Sequence, residues 1–397
     1  MRHQVTLCEE DATMCCLTRR RFLQVASAWA GGMVLSRALP SAAAVESRAI
    51  AVPSQLGGTA SILHGVVTKY APLQDDGWTL MHAVRAVGGT LTVKGESAVD
   101  ILCSRFLKEK MVAGKRYLYM PVEIEGHTDT FLKTVLEAGV SPDHPFRLNG
   151  HRYTINDLVT SAQGLVTFDP RVFDRDDLAW TLIAFSRQMP PTRDTWTNAH
   201  GQRIRLADMI RFGFDALDEA CRQLQRAKDR GVMPTEKDAI HGFTCGGTHL
   251  IYGVASCVGN GYRRDDFAKR LQAHLDLLVW RLEADGDLME RFYRQSPVPP
   301  GQERIYDLFF YDAVMKFYGH SFEILSYVKR KRLFTPTADQ AHAIERAGAR
   351  LAQAVKKIEG VDLFEFRKTN LRLFHLLVGD ACHAYHGIQM APGVNQV

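Results

Sequence analysis

The stretch Gly150-His151-Arg152-Tyr153-Thr154-Ile155-Asn156-Asp157-Leu158-Val159 lines up with Gly201-Gln202-Arg203-Ile204-Arg205-Leu206-Ala207-Asp208-Met209-Ile210. Glycine, arginine and aspartate coincide, and the apolar positions match. In each copy a glycine turn leads into an amphipathic helix. An offset of about fifty residues is the size of two helices with their loops, the period of stacked helical hairpins. Such hairpins close into an α/α toroid around a central cavity or stay open as an α-solenoid with a concave face. The expected fold is all-α, a toroid of ten or more helices, with the open solenoid as the alternative.

Helical periodicity extends outward from these copies. It marks 124–139, 154–165, 176–188, 205–230, 240–258, 264–285, 304–328, 337–358 and 362–389, and Ala98–Leu107 carries an apolar stripe. Breaks fall at Ser141-Pro142-Asp143, Met189-Pro190-Pro191, Pro297–Gly301 and Phe334-Thr335-Pro336. Strand signals are short, at Leu91–Val93 and Arg147–Tyr153. The expected organisation is a signal segment over 1–44, an extended lead-in over 45–94 and a helical domain over 95–397. Glycine, alanine and uncharged residues place 240–258 and 362–389 inside, whereas the charged 264–285 belongs outside.

Composition agrees with a folded domain. The 397 residues are 46% hydrophobic and 23% charged, which excludes collagen-like and largely disordered chains. The net charge is +5, and no basic block points to nucleic acid.

Thr18-Arg19-Arg20-Arg21-Phe22-Leu23-Gln24 resembles the twin-arginine (Tat) export motif. An Ala- and Gly-rich apolar stretch follows to Leu39, and Ala42-Ala43-Ala44 offers a cleavage site. The resemblance implies the Tat translocase as an export partner, a periplasmic or secreted location and no membrane attachment after cleavage. It also implies export of an already folded chain, often with a cofactor inserted. Cys8, Cys15 and Cys16 would leave with the signal, and Cys103, Cys221, Cys245, Cys257 and Cys382 would remain. That number is odd and too small for a disulfide scaffold.

Seven histidines sit beside a glycine: His64, His127, His151, His200, His241, His320 and His386. Roughly two would do so at ordinary glycine usage. On a helix over 240–258, His241, Cys245, His249 and Tyr252 would share one face. On 362–389, His375, Cys382 and His386 would share another, with His383 at its edge. His320 and Glu323 are three apart, as are His383 and His386, spacings that let two side chains reach one ion.

Cys245 followed by the adjacent pair Cys382-His383 is similar to the zinc site of the lanthionine synthetase cyclases, which are α/α toroids. Ala384 stands where those enzymes carry glycine, so the likeness speaks for architecture rather than for their chemistry. For sugar chemistry the acidic candidates are Glu123, Glu125, Asp129, Asp312, Glu323 and Asp380. A lyase would draw its base from His249, Tyr252, His320 or Tyr385.

The function expected is a hydrolase or lyase with a His- and Cys-lined cavity, Zn²⁺ being the candidate cofactor. Its metal ligands would be Cys245, Cys382, His383 and His386, and its catalytic residues His249, His320 and Tyr252. The ligand would be a small molecule, a peptide or a glycan. The alternative is a non-catalytic periplasmic scaffold holding a peptide or glycan in its concave face. Without metal, Cys245 and Cys382 would be candidates for a disulfide.

Overall fold

In the computed structural model, residues 56–263 and 266–390 are described. The Tat-like motif at Thr18–Gln24 and the expected cleavage site at Ala42–Ala44 lie outside them. The described chain is all-α apart from four two-stranded antiparallel hairpins, and none of its helices is long and apolar enough to cross a membrane.

The repeat seen in the sequence is a hairpin feeding a helix. Strands β5 (Pro145–Leu148) and β6 (His151–Thr154) are joined by Asn149-Gly150, both at positive φ. This is the two-residue turn whose twist matches paired strands. Helix α6 (Ile155–Leu165) follows at once, its start closed by a reciprocal Thr154–Asp157 capping box. Strands β7 (Thr195–Thr197) and β8 (Arg203–Arg205) lead in the same way into α8 (Leu206–Asp229). A third copy precedes both: β1 (Thr92–Val93), the turn Lys94-Gly95, β2 (Glu96–Ser97) and α3 (Ala98–Arg105). Asp100, Asp157 and Asp208 occupy the third position of their helices, where a carboxylate meets unpaired backbone N–H groups. The hairpin β3 (Lys108–Val112) with β4 (Lys115–Tyr119) was not legible in the sequence and packs against α6.

Six helices pack pairwise in a circuit. They are α2 (Gly77–Val87), α5 (Thr130–Glu137), α7 (Leu178–Gln188), α9 (Thr248–Gly259), α11 (Glu303–Arg330) and α14 (Leu371–Gln389). Each contacts the next, and α14 contacts α2. Against this circuit pack α1 (Leu56–Tyr70), α3, α8, α10 (Phe267–Gln295) and α12 (Ala338–Ile358). Two short helices, α4 (Val122–Glu125) and α13 (Phe364–Thr369), complete the set.

The stretch 45–94, expected to be extended, instead holds α1 and α2 within its described part, both carrying core residues. Asp76 caps α2 by accepting from the Thr79 N–H. The helix expected over 240–258 begins only at Thr248, because Cys245, Gly246 and Gly247 all adopt positive φ. Every residue from Thr248 to Val258 is buried, as the absence of charge predicts. Helices α11 and α14 meet through glycine. A Cβ on Gly319 would lie 3.0 Å from the Ala384 nitrogen, and one on Gly387 would lie 2.8 Å from the Glu323 nitrogen. That backbone approach brings the polar side chains of the two helices together.

Candidate metal centre

Five helices of the circuit contribute to one polar cluster, and α7 lies beside it. Glu323 on α11 is its hub. Oε1 accepts from Arg85 Nε (2.8 Å) and His386 Nδ1 (2.7 Å), while Oε2 accepts from His383 Nδ1 (3.0 Å) and His320 Nδ1 (3.4 Å). Arg85 on α2 also donates to Glu137 on α5 (2.6 Å). Glu137 in turn accepts from the Tyr252 hydroxyl on α9 (2.6 Å) and lies 3.2 Å from Lys133 Nζ. Arg85, Lys133, Glu137 and Glu323 are nearly fully buried, so two cations and two anions balance in the dry interior.

Burial opposes the charge on Glu323, but the Arg85 guanidinium and neighbouring imidazoles outweigh it and hold its carboxyl well below the usual range. Burial likewise lowers the histidines. His82 falls to about 4. His249 and His383 lie well below the usual value, each pushed further by neighbouring imidazoles. His320 is lowered by burial despite Glu323. In all four, burial favours the neutral ring.

The hydrogen bonds assign the tautomers. An ionised carboxylate only accepts, so Nδ1 of His383 and His386 carries the proton. His82 Nδ1 donates to the Trp78 carbonyl at 2.7 Å. In His82 and His383, which burial lowers, Nε2 is therefore the nitrogen with the lone pair, and among the described residues no hydrogen bond reaches it. The His320 ring lies 4.0 Å from that of His383 and 4.3 Å from that of His249, centroid to centroid. Trp180 on α7 closes one side, between His249 (4.7 Å) and His127 (4.0 Å, stacked). Trp78 closes the other, against His82 (3.9 Å).

Two sets of three could hold an ion, each with its ligand atoms within 4.8 Å of one another: Cys245, His249 and His320, and His320, Glu323 and His383. In the second set Glu323 Oε2 is already engaged by Nδ1 of His383 and His320. The first set is the better ligand shell. Tetrahedral zinc with bonds of 2.0–2.3 Å needs ligand atoms about 3.5 Å apart, against the 4.8 Å within which these atoms lie.

The structure thus gathers Cys245, His249, His320, His383 and His386, all expected from the sequence. Cys245 arrives on a left-handed turn rather than on a shared helical face. Cys382 belongs to neither set of three. It is fully buried, and burial, aided by Asp380 and Glu323, drives its thiol far above the ordinary value. Tyr252 is tied to Glu137, and burial with that carboxylate raises its hydroxyl well above the usual range. Among the described residues, no cysteine forms a disulfide, Cys245 and Cys382 included. Of the acidic candidates, Glu125 caps the segment before α5 by accepting from the Asp129 and Phe131 N–H groups. Asp312 and Asp380 are buried, and Asp380 lies 3.4 Å from Lys316 Nζ through Oδ2 and 3.7 Å from His320 Nε2 through Oδ1.

Sequence reasoning missed Arg85, Lys133, Glu137 and His82. A signal was present for two of them: Lys133 and Glu137, four apart, are the charges of an otherwise apolar helix, Thr-Phe-Leu-Lys-Thr-Val-Leu-Glu. Compared with protein families, curated proteins and solved structures, the chain finds no match.

Proposed function

We propose that the cluster is a zinc centre and that the protein is an exported zinc-dependent hydrolase built as an α/α toroid. The carrying observation is the way the imidazoles are held. His320, whose ligand atom lies within 4.8 Å of those of Cys245 and His249, is held by Glu323, whose Oε2 lies 3.4 Å from its Nδ1. Metal-binding histidines are oriented by this kind of outer bond, which fixes the tautomer and raises ligand basicity. Burial, which lowers His249 and His320, suits the same role, because a ligand must be deprotonated.

In this reading Cys245, His249 and His320 hold the ion. Three protein ligands leave a fourth position for water, the pattern of catalytic rather than structural zinc. Zinc when bound lowers the pKa of that water to ~7. His383, oriented by Glu323, moves the proton. Arg85 and Lys133 hold the two carboxylates in place. The toroid reading is supported by the circuit of six helices meeting around one polar centre. The Tat-like motif at Thr18–Gln24 fits a chain loaded with metal before export, with the Tat translocase as its export partner and the periplasm or exterior as its destination. The substrate would be a small molecule, a peptide or a glycan.

The test is hydrolysis of p-nitrophenyl acetate by the full chain, metal-free and after zinc addition. Zinc should raise the rate at least tenfold, and His383→Gln should lose that gain while keeping the metal. Equal rates with and without zinc would overturn the reading.

A further inference from the structure

Cys245 has φ +50 and ψ +35, a conformation that a residue with a Cβ adopts at a cost. Gly246 and Gly247 continue the left-handed path at φ +64 and +77. Something must hold this turn, since a helix from Ile240 onward is the unstrained alternative. The restraint comes from α10. Arg281 is fully buried, and its Nη1 donates to the Gly246 carbonyl at 2.9 Å. Its Nε and Nη2 meet Asp285 Oδ2 at 2.9 and 2.7 Å, one helical turn along. The guanidinium also lies over the Phe317 ring at 5.6 Å. Phe317 is three residues before His320 on α11. A Cβ on Gly246 would approach Arg281 Nη2 to 2.9 Å, so the turn and the guanidinium fit closely. A second tether, the Thr244 N–H to Asp176 Oδ1 at 2.9 Å, pins the other flank.

We infer that Arg281 is a positioning residue: it fixes the left-handed turn, and with it the Cys245 thiol, against the His320 segment of α11. The inference deepens the zinc reading and rests on it for the thiol's purpose, but the positioning itself is readable without metal. A loosened turn opens more often, and the exposed thiol reacts in proportion to that opening. Cys103, Cys221, Cys257 and Cys382 are buried, whereas Cys245 is half-buried.

The experiment compares the wild-type full chain with Arg281→Lys and with the double variant Arg281→Met, Asp285→Leu. The double variant replaces a buried ion pair by apolar groups, an exchange that often preserves stability. Two readouts are taken: the rate of Cys245 alkylation by iodoacetamide in metal-free protein, followed by peptide mass spectrometry, and the zinc dissociation constant from competition with a chromophoric chelator. The double variant should alkylate at Cys245 about tenfold faster at an unchanged melting temperature. It should bind zinc 10–100-fold more weakly, the usual effect of losing an outer support. Arg281→Lys should fall between. An unchanged alkylation rate in both variants overturns the inference. If alkylation accelerates while the wild type binds no zinc, the positioning stands and the zinc reading falls.

Discussion

Glu323 on α11 and His383 on α14 are joined by a 3.0 Å hydrogen bond from Nδ1 to Oε2. The bond exists because Gly319 and Gly387 let the two backbones close. It fixes which nitrogen of His383 faces the cluster. Glu323→Gln removes the charge that holds Arg85 and three imidazoles. Zinc affinity should fall 10–100-fold. Stability should fall by about 3 kcal/mol, because Arg85 keeps only Glu137. Chelator competition and urea unfolding check the two numbers.

Arg85→Met leaves Glu323 buried without its guanidinium. Breaking one partner of a buried pair is destabilising by about 3–5 kcal/mol. Lys133 still balances Glu137, so the lower end applies. Equilibrium unfolding of the metal-free chain measures it, and a loss under 1 kcal/mol would contradict the role given to this residue.

Much of this was legible in the sequence. The spacing of apolar residues located nearly every long helix, and the Gly–Arg–Asp repeat announced the hairpin-to-helix unit. The excess of histidines beside glycines led to His320 and His386, and helical spacing led to His249 and His383. Arg85 was hidden because Gly77–Val87 follows a short loop and reads as lead-in, and its charge finds partners 52 and 238 residues away. The turn at Cys245 was hidden for another reason. Steps of four along 241, 245 and 249 fit a helix, and only the pair Gly246-Gly247 spoke against one. The strands β3 and β4 alternate weakly because they are mostly exposed.

Gly319→Ala places a methyl group 3.0 Å from the Ala384 nitrogen, where backbone cannot easily yield. The expected loss is about 1–3 kcal/mol, typical of overpacking. Gly57→Ala, where a Cβ meets nothing within 4 Å, is the control and should be neutral or slightly stabilising. Thermal melts of the two variants side by side decide it.

Asp129, at φ +67, accepts from the Thr181 hydroxyl at 2.6 Å. Burial raises its carboxyl to about 6; the Thr181 bond opposes the rise, and Asp177 adds to it. A raised acid favours the folded state fully below its unfolded value and loses that favour as pH climbs through the folded value. Asp129 therefore weakens the fold above pH 6, by on the order of 3 kcal/mol. Asn tolerates the same positive φ. Asp129→Asn should match the wild type near pH 4 and exceed it in melting temperature at pH 8. A gain that is equal at both pH values would contradict the argument.

The central claim is that Cys245, His249 and His320 hold one metal ion. Zinc content of the full chain, purified without an affinity tag and measured by inductively coupled plasma mass spectrometry, tests it directly. The account predicts about one zinc per chain in the wild type and in Cys382→Ser, and a loss of most of it in Cys245→Ser and His320→Ala. A wild type without zinc, or zinc that survives both of the last two substitutions, would contradict it.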